Sequence, residues 1–242
     1  PYGGTRHACR EYIEDHIRDC LAQGQVNVFA TADRDRIFEA SEYLAGIVWD
    51  SIGEVVISAR EVMSWLRKAA SLAAKEGLPV NWTSPSGFPI QQSYREFRSR
   101  RIETKLSGNL LRSNYRQTVR LTLVEPTDQI DKRRQANGIS PNFVHSMDAA
   151  CLHLYVCRAH EFGIENFALI HDSYGTLAAD TEISAQCIRD VFVEMYQGDV
   201  LSTFRTEILE QLSPESTGKL PPIPPKGKLN LETIKQSTFF FA

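Results

Sequence analysis

The run Phe167-Ala-Leu-Ile-His-Asp-Ser-Tyr-Gly175 constrains the fold most sharply. Four apolar residues ending in His171-Asp172 read as a short strand, Asp172-Ser173 as a turn, and Tyr174 to Leu177 as the return strand. Such a hairpin holds a carboxylate on a rigid tip. There it can ligate a hard divalent ion such as Mg²⁺, which prefers oxygen and keeps waters and substrate phosphates in its shell. Two such ions can clamp the attacking and leaving oxygens of phosphoryl transfer. An Asp in a turn also serves as a simple backbone cap, so the run alone leaves both readings open. A second run, Pro141-Asn-Phe-Val-His-Ser-Met-Asp148, puts His145 and Asp148 three apart, on one face if the segment is helical. Metal ligation and ordinary hydrogen bonding by a histidine at a helix start are both compatible with that spacing.

The rest of the chain frames these runs. Thr5 caps a predicted helix reaching about Gln23, with Ile13, Ile17 and Leu21 every four residues and Gly24 as its stop. Residues 26–30 read as a short extended piece. A long helical region follows from Asp33 to about Lys75. Its expected buried positions include Ile37, Ala40, Leu44, Ile47, Val48, Val55, Val62, Trp65, Leu66 and Ala69, and Gly53 is its expected break. Val80–Thr83, Phe88–Ser93, Arg101–Leu106 and Thr118–Leu123 read as strands, the last two flanking a tip at 107–117. Gly138-Ile-Ser-Pro141 reads as a boundary, with a helix starting at Asn142 or Ser146 and ending near Glu161. Helices are expected over Glu182–Tyr196 and Val200–Leu212, then a Pro/Gly/Lys-rich loop to 228 and a helical turn near Leu229–Gln236. The fold class is therefore α+β.

Composition narrows the function classes. Hydrophobic residues at 42 % and charged residues at 24 % are those of a globular domain. No apolar run approaches the ~20 residues of a membrane span, and charged residues from Arg6 to Asp15 leave no signal-peptide core at the start. Five cysteines without a CxxC pair point to free buried thiols in a reducing cytoplasm rather than a zinc site. The net charge of -3 hides an asymmetry: Arg95 to Arg134 hold eleven basic and five acidic residues, net +6, which leaves -9 elsewhere. A cationic block in an acidic chain suggests a local polyanion contact. The tip within it carries Arg112, Asn114, Tyr115, Arg116 and Gln117, side chains able to read base edges or hold phosphates. A solvated surface hairpin is the plainer alternative.

Tyr2-Gly3, Trp82-Thr-Ser-Pro-Ser-Gly-Phe-Pro89, Pro141-Asn-Phe-Val-His-Ser-Met-Asp148, His171-Asp-Ser-Tyr-Gly175 and the Phe-Phe-Phe-Ala242 terminus follow one another in an order that resembles the bacteriophage-type single-subunit RNA polymerases. The resemblance spans essentially the whole chain, and Ser173-Tyr174-Gly175 with Ala179-Asp180 looks more like the phage branch than the mitochondrial one. It implies a partial right-handed-palm architecture. Residues 1–78 would be helical fingers, 79–137 a β-rich segment with a promoter-recognition hairpin, and 138–242 palm with a C-terminal foot.

It also implies roles. Asp172 would be the second metal-binding palm carboxylate for Mg²⁺ in a two-metal site, with His171 beside it. Tyr2 would sit near the incoming nucleotide's sugar, Gly3 would let the backbone approach template or substrate closely, and His145 would lie at the growing RNA end. The hairpin around residues 100–123 would match the promoter-recognition loop, but the resemblance assigns no base contacts. By their chemistry alone Arg98 and Arg100 are candidate phosphate contacts, and Arg112, Asn114, Arg116 and Gln117 candidate base readers. The implied partners are promoter and template DNA, nascent RNA, ribonucleoside triphosphates and an N-terminal remainder of the polymerase, in the cytoplasm of an infected bacterium. A first palm carboxylate and a triphosphate-gripping Lys and Arg are expected upstream of Tyr2, so this chain alone is expected not to polymerise. Two other readings stand beside this one. A DNA polymerase of the same superfamily usually has an acid directly after the His-Asp turn, where this chain has Ser173. A non-catalytic nucleic-acid-binding module keeping the fold is the other.

Overall fold

The structure, a computed structural model, describes residues 5–24, 34–105 and 118–240. The extended piece expected at 26–30 lies outside the described residues, as do the hairpin tip, Tyr2, Gly3 and the last two residues.

Thr5 opens α1 (Arg6–Ala22), its hydroxyl accepting the Ala8 N–H at 3.2 Å. α1 lies along α2 (Arg34–Val55), where Arg10 places its guanidinium 4.6 Å from the Phe38 ring centre. The helical region does not break at Gly53. That glycine lies inside α2, where the Arg60 side chain crosses too close for a Cβ, and the interruption falls at Val56 before α3 (Ile57–Lys75). Ile37 is buried as expected, but Ile47, Val48 and Val55 are 47, 40 and 83 % exposed. Helix α2 packs chiefly on α1 and only slightly on α3, so one face of its wide apolar surface has no cover among the described residues.

Helix α3 ends as its sequence dictates. Gly77 has φ +75°, Leu78 N–H bonds Ala73 O at 3.0 Å and Gly77 N–H bonds Ala74 O at 3.2 Å, a Schellman closure. Strands β1 (Val80–Thr83) and β2 (Pro89–Gln92) form an antiparallel hairpin. Strands β3 (Arg95–Lys105) and β4 (Thr118–Ile130) form a second, longer one. The latter pair begins six residues earlier and ends seven later than the apolar pattern implies, because its root alternates charged rather than apolar residues. A bulge opens between Arg95↔Ile130 and Phe97↔Pro126, and it accommodates a proline with no N–H to donate.

Helix α4 (Lys132–Glu161) corrects the expected boundary at Gly138–Pro141. It is one helix of 30 residues, capped by Asp131, whose carboxylate accepts the Arg134 N–H at 2.9 Å. Gly138 is there for packing, not for a turn: a Cβ would meet Tyr94 Cε2 at 2.5 Å. Pro141 leaves the Asn137 carbonyl without its helical donor, and exposed Asn137 turns that group to water. Tertiary bonds hold this weak turn in helix. Gln135 and Gln92 exchange side-chain-to-backbone bonds of 2.6 and 2.8 Å, and Tyr94 N–H bonds Gln135 Oε1 at 3.0 Å.

The chain continues through the hairpin β5 (Phe167–Ile170) and β6 (Ser173–Thr176), then α5 (Thr181–Gln197) and α6 (Val200–Gln211). A helical turn at Pro214–Thr217 interrupts the expected loop, and a 3₁₀ segment spans Leu231–Gln236. The main core joins α3, β1, α4 and α6 around Trp65, Trp82, Phe143 and Phe204. A second cluster around Tyr155, Ile164, Cys187 and Ile188 seats β5 and β6 on α4 and α5. Helices with, among the described residues, three separate two-stranded antiparallel sheets make an α+β architecture.

Candidate functional site

The β5–β6 hairpin aims its turn by its own alternation. Phe167 and Leu169 face the second cluster, while Ile170 is 70 % exposed. The register Ile170↔Ser173 leaves His171 and Asp172 as a two-residue turn. His171 takes φ 54°, alone among the described non-glycine residues. Two-residue hairpin turns require that positive φ, usually supplied by glycine or asparagine, and a histidine there costs about 1 kcal/mol. His171 and Asp172 are both exposed at the tip. Gly175 is needed behind it, since a Cβ would stand 3.0 Å from the Ala168 carbonyl oxygen.

Tyr174 braces the hairpin. Its ring meets Tyr155 edge-on, centres 5.0 Å apart, and its hydroxyl hydrogen-bonds the Cys151 thiol. Burial pushes the Tyr174 phenol far above its ordinary value, and burial raises Cys151 as well. Tyr155 in turn shares a 2.7 Å hydrogen bond with Ser184 on α5. At the C-terminal end, Phe240 packs on Phe192 with ring centres 5.0 Å apart, and Phe239 is 85 % exposed.

Helix α4 brings the second sequence run to the same place. At 3.6 residues per turn, Asp148, Cys151 and Tyr155 lie on the stripe facing the hairpin, and His145 lies at its edge, exposed. Asp148 is half-buried. Burial pushes its carboxyl above the usual range, His145 opposes the rise and the Asp172 charge adds to it. The site thus gathers Asp172, Asp148 and His145. The pairing of Asp148 with Asp172 was not read from the sequence, where only its spacing from His145 was noticed. The signal was its register with Cys151 and Tyr155. Among the described residues no group of three or more His, Cys, Asp or Glu side chains is disposed to enclose a metal. The five cysteines are free thiols, but only Cys151 and Cys187 are buried; Cys9 and Cys20 are half-buried and Cys157 is exposed.

A raised native carboxyl has a testable sign. The folded state binds the Asp148 proton more tightly than the unfolded chain, so its cost is absent below the unfolded value of ~3.9 and grows as pH rises through the folded one. Asp148→Asn is therefore expected to raise thermal stability in EDTA at about pH 8 and leave it unchanged near pH 3. A gain equal at both pH values would contradict the burial assignment.

The cationic block maps mostly to the β3–β4 ribbon. Arg98 and Arg100 share one face with Ile102, Leu121 and Leu123, and neither makes an ion pair among the described residues. Arg95 and Arg120 are neutralised by Asp128 at 3.2 Å and Glu103 at 3.0 Å, and Arg134 lies over the Tyr94 ring. Arg112, Asn114, Arg116 and Gln117 lie outside the described residues.

A family model described as DNA-dependent RNA polymerase matches residues 1–219. The chain belongs to the phage-type DNA-directed RNA polymerases. This polymerase segment is 35 % identical over 256 residues to the DNA-directed RNA polymerase of Enterobacteria phage T3, covering all of the chain and 28 % of that protein. It is 35 % identical over 262 residues to the T7 RNA polymerase of Escherichia phage T7, again 28 % of that protein. DNA-directed RNA polymerase 2A of Nicotiana tabacum is 31 % identical over 241 residues, 65 % of its length. The polymerase segment therefore spans about 28 % of the length of its phage relatives. Among the described residues no helix is long and apolar enough to cross a membrane.

Proposed function

We propose that this chain is the C-terminal catalytic segment of a DNA-templated RNA polymerase of partial right-handed-palm architecture, acting in the cytoplasm of an infected bacterium. The observation that carries the reading is the strained His171-Asp172 turn, whose Asp172 charge acts on Asp148 of α4. Residues 1–78 would contribute fingers, 79–137 the promoter-reading hairpin, and 138–242 the palm and the C-terminal foot that ends in Phe239 and Phe240.

The donor set suits part of a Mg²⁺ site. Asp172 offers an exposed hard oxygen, and Mg²⁺ takes one or two carboxylates and fills its shell with waters and phosphates. Asp172 would hold the ion, with a further carboxylate from the N-terminal remainder of the polymerase. When bound, the metal pair supplies Lewis-acid polarisation of the phosphoryl oxygens. His171 shapes the turn that fixes Asp172. His145 would contact the RNA end, Tyr2 would serve the sugar of the ribonucleoside triphosphate, and Gly3 would let the backbone approach template or substrate closely. The RNA 3′-hydroxyl attacks the α-phosphorus, loses its proton, and the α–β phosphoanhydride bond breaks to release pyrophosphate.

The test is run-off transcription by the complete polymerase carrying this segment, with ribo- and deoxyribonucleotides compared. Templated RNA synthesis supports the reading; preferential DNA synthesis favours the sister-polymerase alternative, and nucleic-acid binding without synthesis favours a non-catalytic module. Tyr2→Phe removes a hydroxyl able to join a hydrogen-bond network that senses the ribose 2′-OH. It is expected to raise deoxyribonucleotide incorporation about tenfold, consistent with loss of about 1.4 kcal/mol of discrimination. An unchanged sugar preference would remove Tyr2 from that role.

The hairpin divides into two kinds of contact. Phosphate contacts lose affinity with salt at a slope of about -0.9 per neutralised phosphate, while a good base-edge pair discriminates by about 1–3 kcal/mol. Alanine at Arg112, Asn114, Arg116 or Gln117 is expected to shift preference in a promoter library while leaving non-specific binding intact. Alanine at Arg98 or Arg100 is expected to weaken all DNA alike and flatten the salt slope by about 1. If all four tip substitutions leave preference unchanged, the ribbon is a general DNA-holding face.

A further inference from the structure

The run Trp82-Thr-Ser-Pro-Ser-Gly-Phe-Pro89 builds the β1–β2 hairpin, and its role is not accounted for by the catalytic turn. Between that hairpin and α4 lies a cleft of about 380 Å³. Asn142, Ser146, Ala149 and His153 form its helical wall, on the side of α4 opposite Asp148, Cys151 and Tyr155. Phe88 and Ile90 form the other wall, and Trp82 lies at the base, its indole N–H bonded to Ser146 Oγ at 3.0 Å. His145 sits where the cleft meets the hairpin-facing side of the helix.

We propose that this cleft binds one unpaired nucleobase of a nucleic-acid strand held by the polymerase. The inference rests on the polymerase reading and goes beyond it by adding a base site on the other face of α4. Three observations select the ligand class. First, no Asp, Glu, Lys or Arg lines the cleft among the described residues, so it offers neither a phosphate nor a cation a charged partner. Second, its rim presents aromatic surface. Phe88 is 59 % exposed, its ring centre lies 6.3 Å from that of His153, and His153 Nδ1 lies 3.3 Å from Ser86 Oγ, which restrains the imidazole. A flat, neutral ring system is what such a platform stacks, and stacking tolerates any base. Third, Asn142 lines the cleft with one polar function not spent on the protein among the described residues. Its amide N–H groups are spent on Gln92 Oε1 at 2.8 Å and Tyr94 Oη at 3.1 Å, and its carbonyl oxygen accepts no bond among the described residues. That leaves an acceptor for a base N–H. A polar acceptor beside an aromatic rim suits one splayed base, the form in which single-stranded nucleic acid is recognised.

The strand that supplies the base is either transcript or template, and the experiment separates them. The complete polymerase is stalled on a template–transcript scaffold carrying one photoreactive thiobase, walked position by position along the RNA in one series and along the template DNA in the other. Crosslinked peptides are then mapped. The expected result is a crosslink to the segments holding Phe88 or His153 from one or two adjacent positions of a single strand, falling about tenfold in Phe88→Ala or His153→Ala enzyme. Thermal unfolding of both variants shows whether the fold is kept; the wild-type map decides the matter if either fails to fold. Crosslinks that reach other parts of the enzyme from every position, but never these two segments, would overturn the base site and leave the polymerase reading standing. A protein that forms no scaffold complex would overturn both.

Discussion

Asp172→Asn is expected to lower turnover of the complete polymerase a thousandfold or more, about 4 kcal/mol of transition-state stabilisation. The substitution keeps the shape of the side chain and removes its formal charge. Asp172 is exposed on a two-residue turn, so the carboxamide disturbs no packing and the protein is expected to keep its thermal midpoint. The loss should appear in kcat with scaffold binding nearly unchanged, because in the proposed role the carboxylate would act on the reacting phosphate and not on the duplex. Single-turnover extension by one nucleotide, with Mg²⁺ as the sole divalent ion, measures it. Turnover at the wild-type rate would remove Asp172 from the metal site.

The second large effect is structural. Phe204 is 1 % exposed and touches three aromatic rings, with centres 5.9 Å from Trp65, 6.1 Å from Trp82 and 5.2 Å from Phe143. These rings come from α3, β1 and α4, so one α6 side chain holds the elements on which the site is built. Phe204→Ala is expected to cost about 3–5 kcal/mol, transfer and cavity terms together. That is a large share of the roughly 5–15 kcal/mol typical of a native domain. The denaturant midpoint measures it. Val55→Ala, at a position 83 % exposed, is the control and is expected to change stability by less than about 0.5 kcal/mol. A Phe204→Ala loss no larger than that of the control would mean that the aromatic cluster is not the keystone of the core.

The β5–β6 hairpin was legible because every signal in it is local. Four apolar residues, a polar dipeptide and a glycine fix a hairpin with little help from the rest of the chain, and β5 and β6 fall within a residue or two of their expected bounds. Helices α5 and α6 were legible for the same reason. Helix α4 was not, because Gly138 and Pro141 are local breakers and what overrides them comes from afar: the Tyr94 ring against Gly138 and the paired amides of Gln92 and Gln135. The surface of α2 misled in the other direction. Its period is helical, but periodicity says which residues share a face and not whether anything covers that face. Asp148 shows the same limit at the site. Its three-residue spacing from His145 is visible in the sequence, while its closeness to Asp172 depends on how α4 and the β5–β6 hairpin pack through Tyr155 and Tyr174.

The β3–β4 ribbon carries a consequence for descent. Its strands pair with each other and join the core only near their root, where Ile130 is buried and Asp131 N–H bonds Tyr94 O at 2.9 Å. Further out, Leu121, Leu123 and Val124 are 45, 45 and 59 % exposed. Substitutions there meet few neighbours, so they neither open cavities nor strand polar groups, and sites without shared partners change stability independently. The outer ribbon can therefore drift through many sequences while α3, α4 and α6 stay fixed. A lineage could rewrite this arm one residue at a time, with each intermediate still folding.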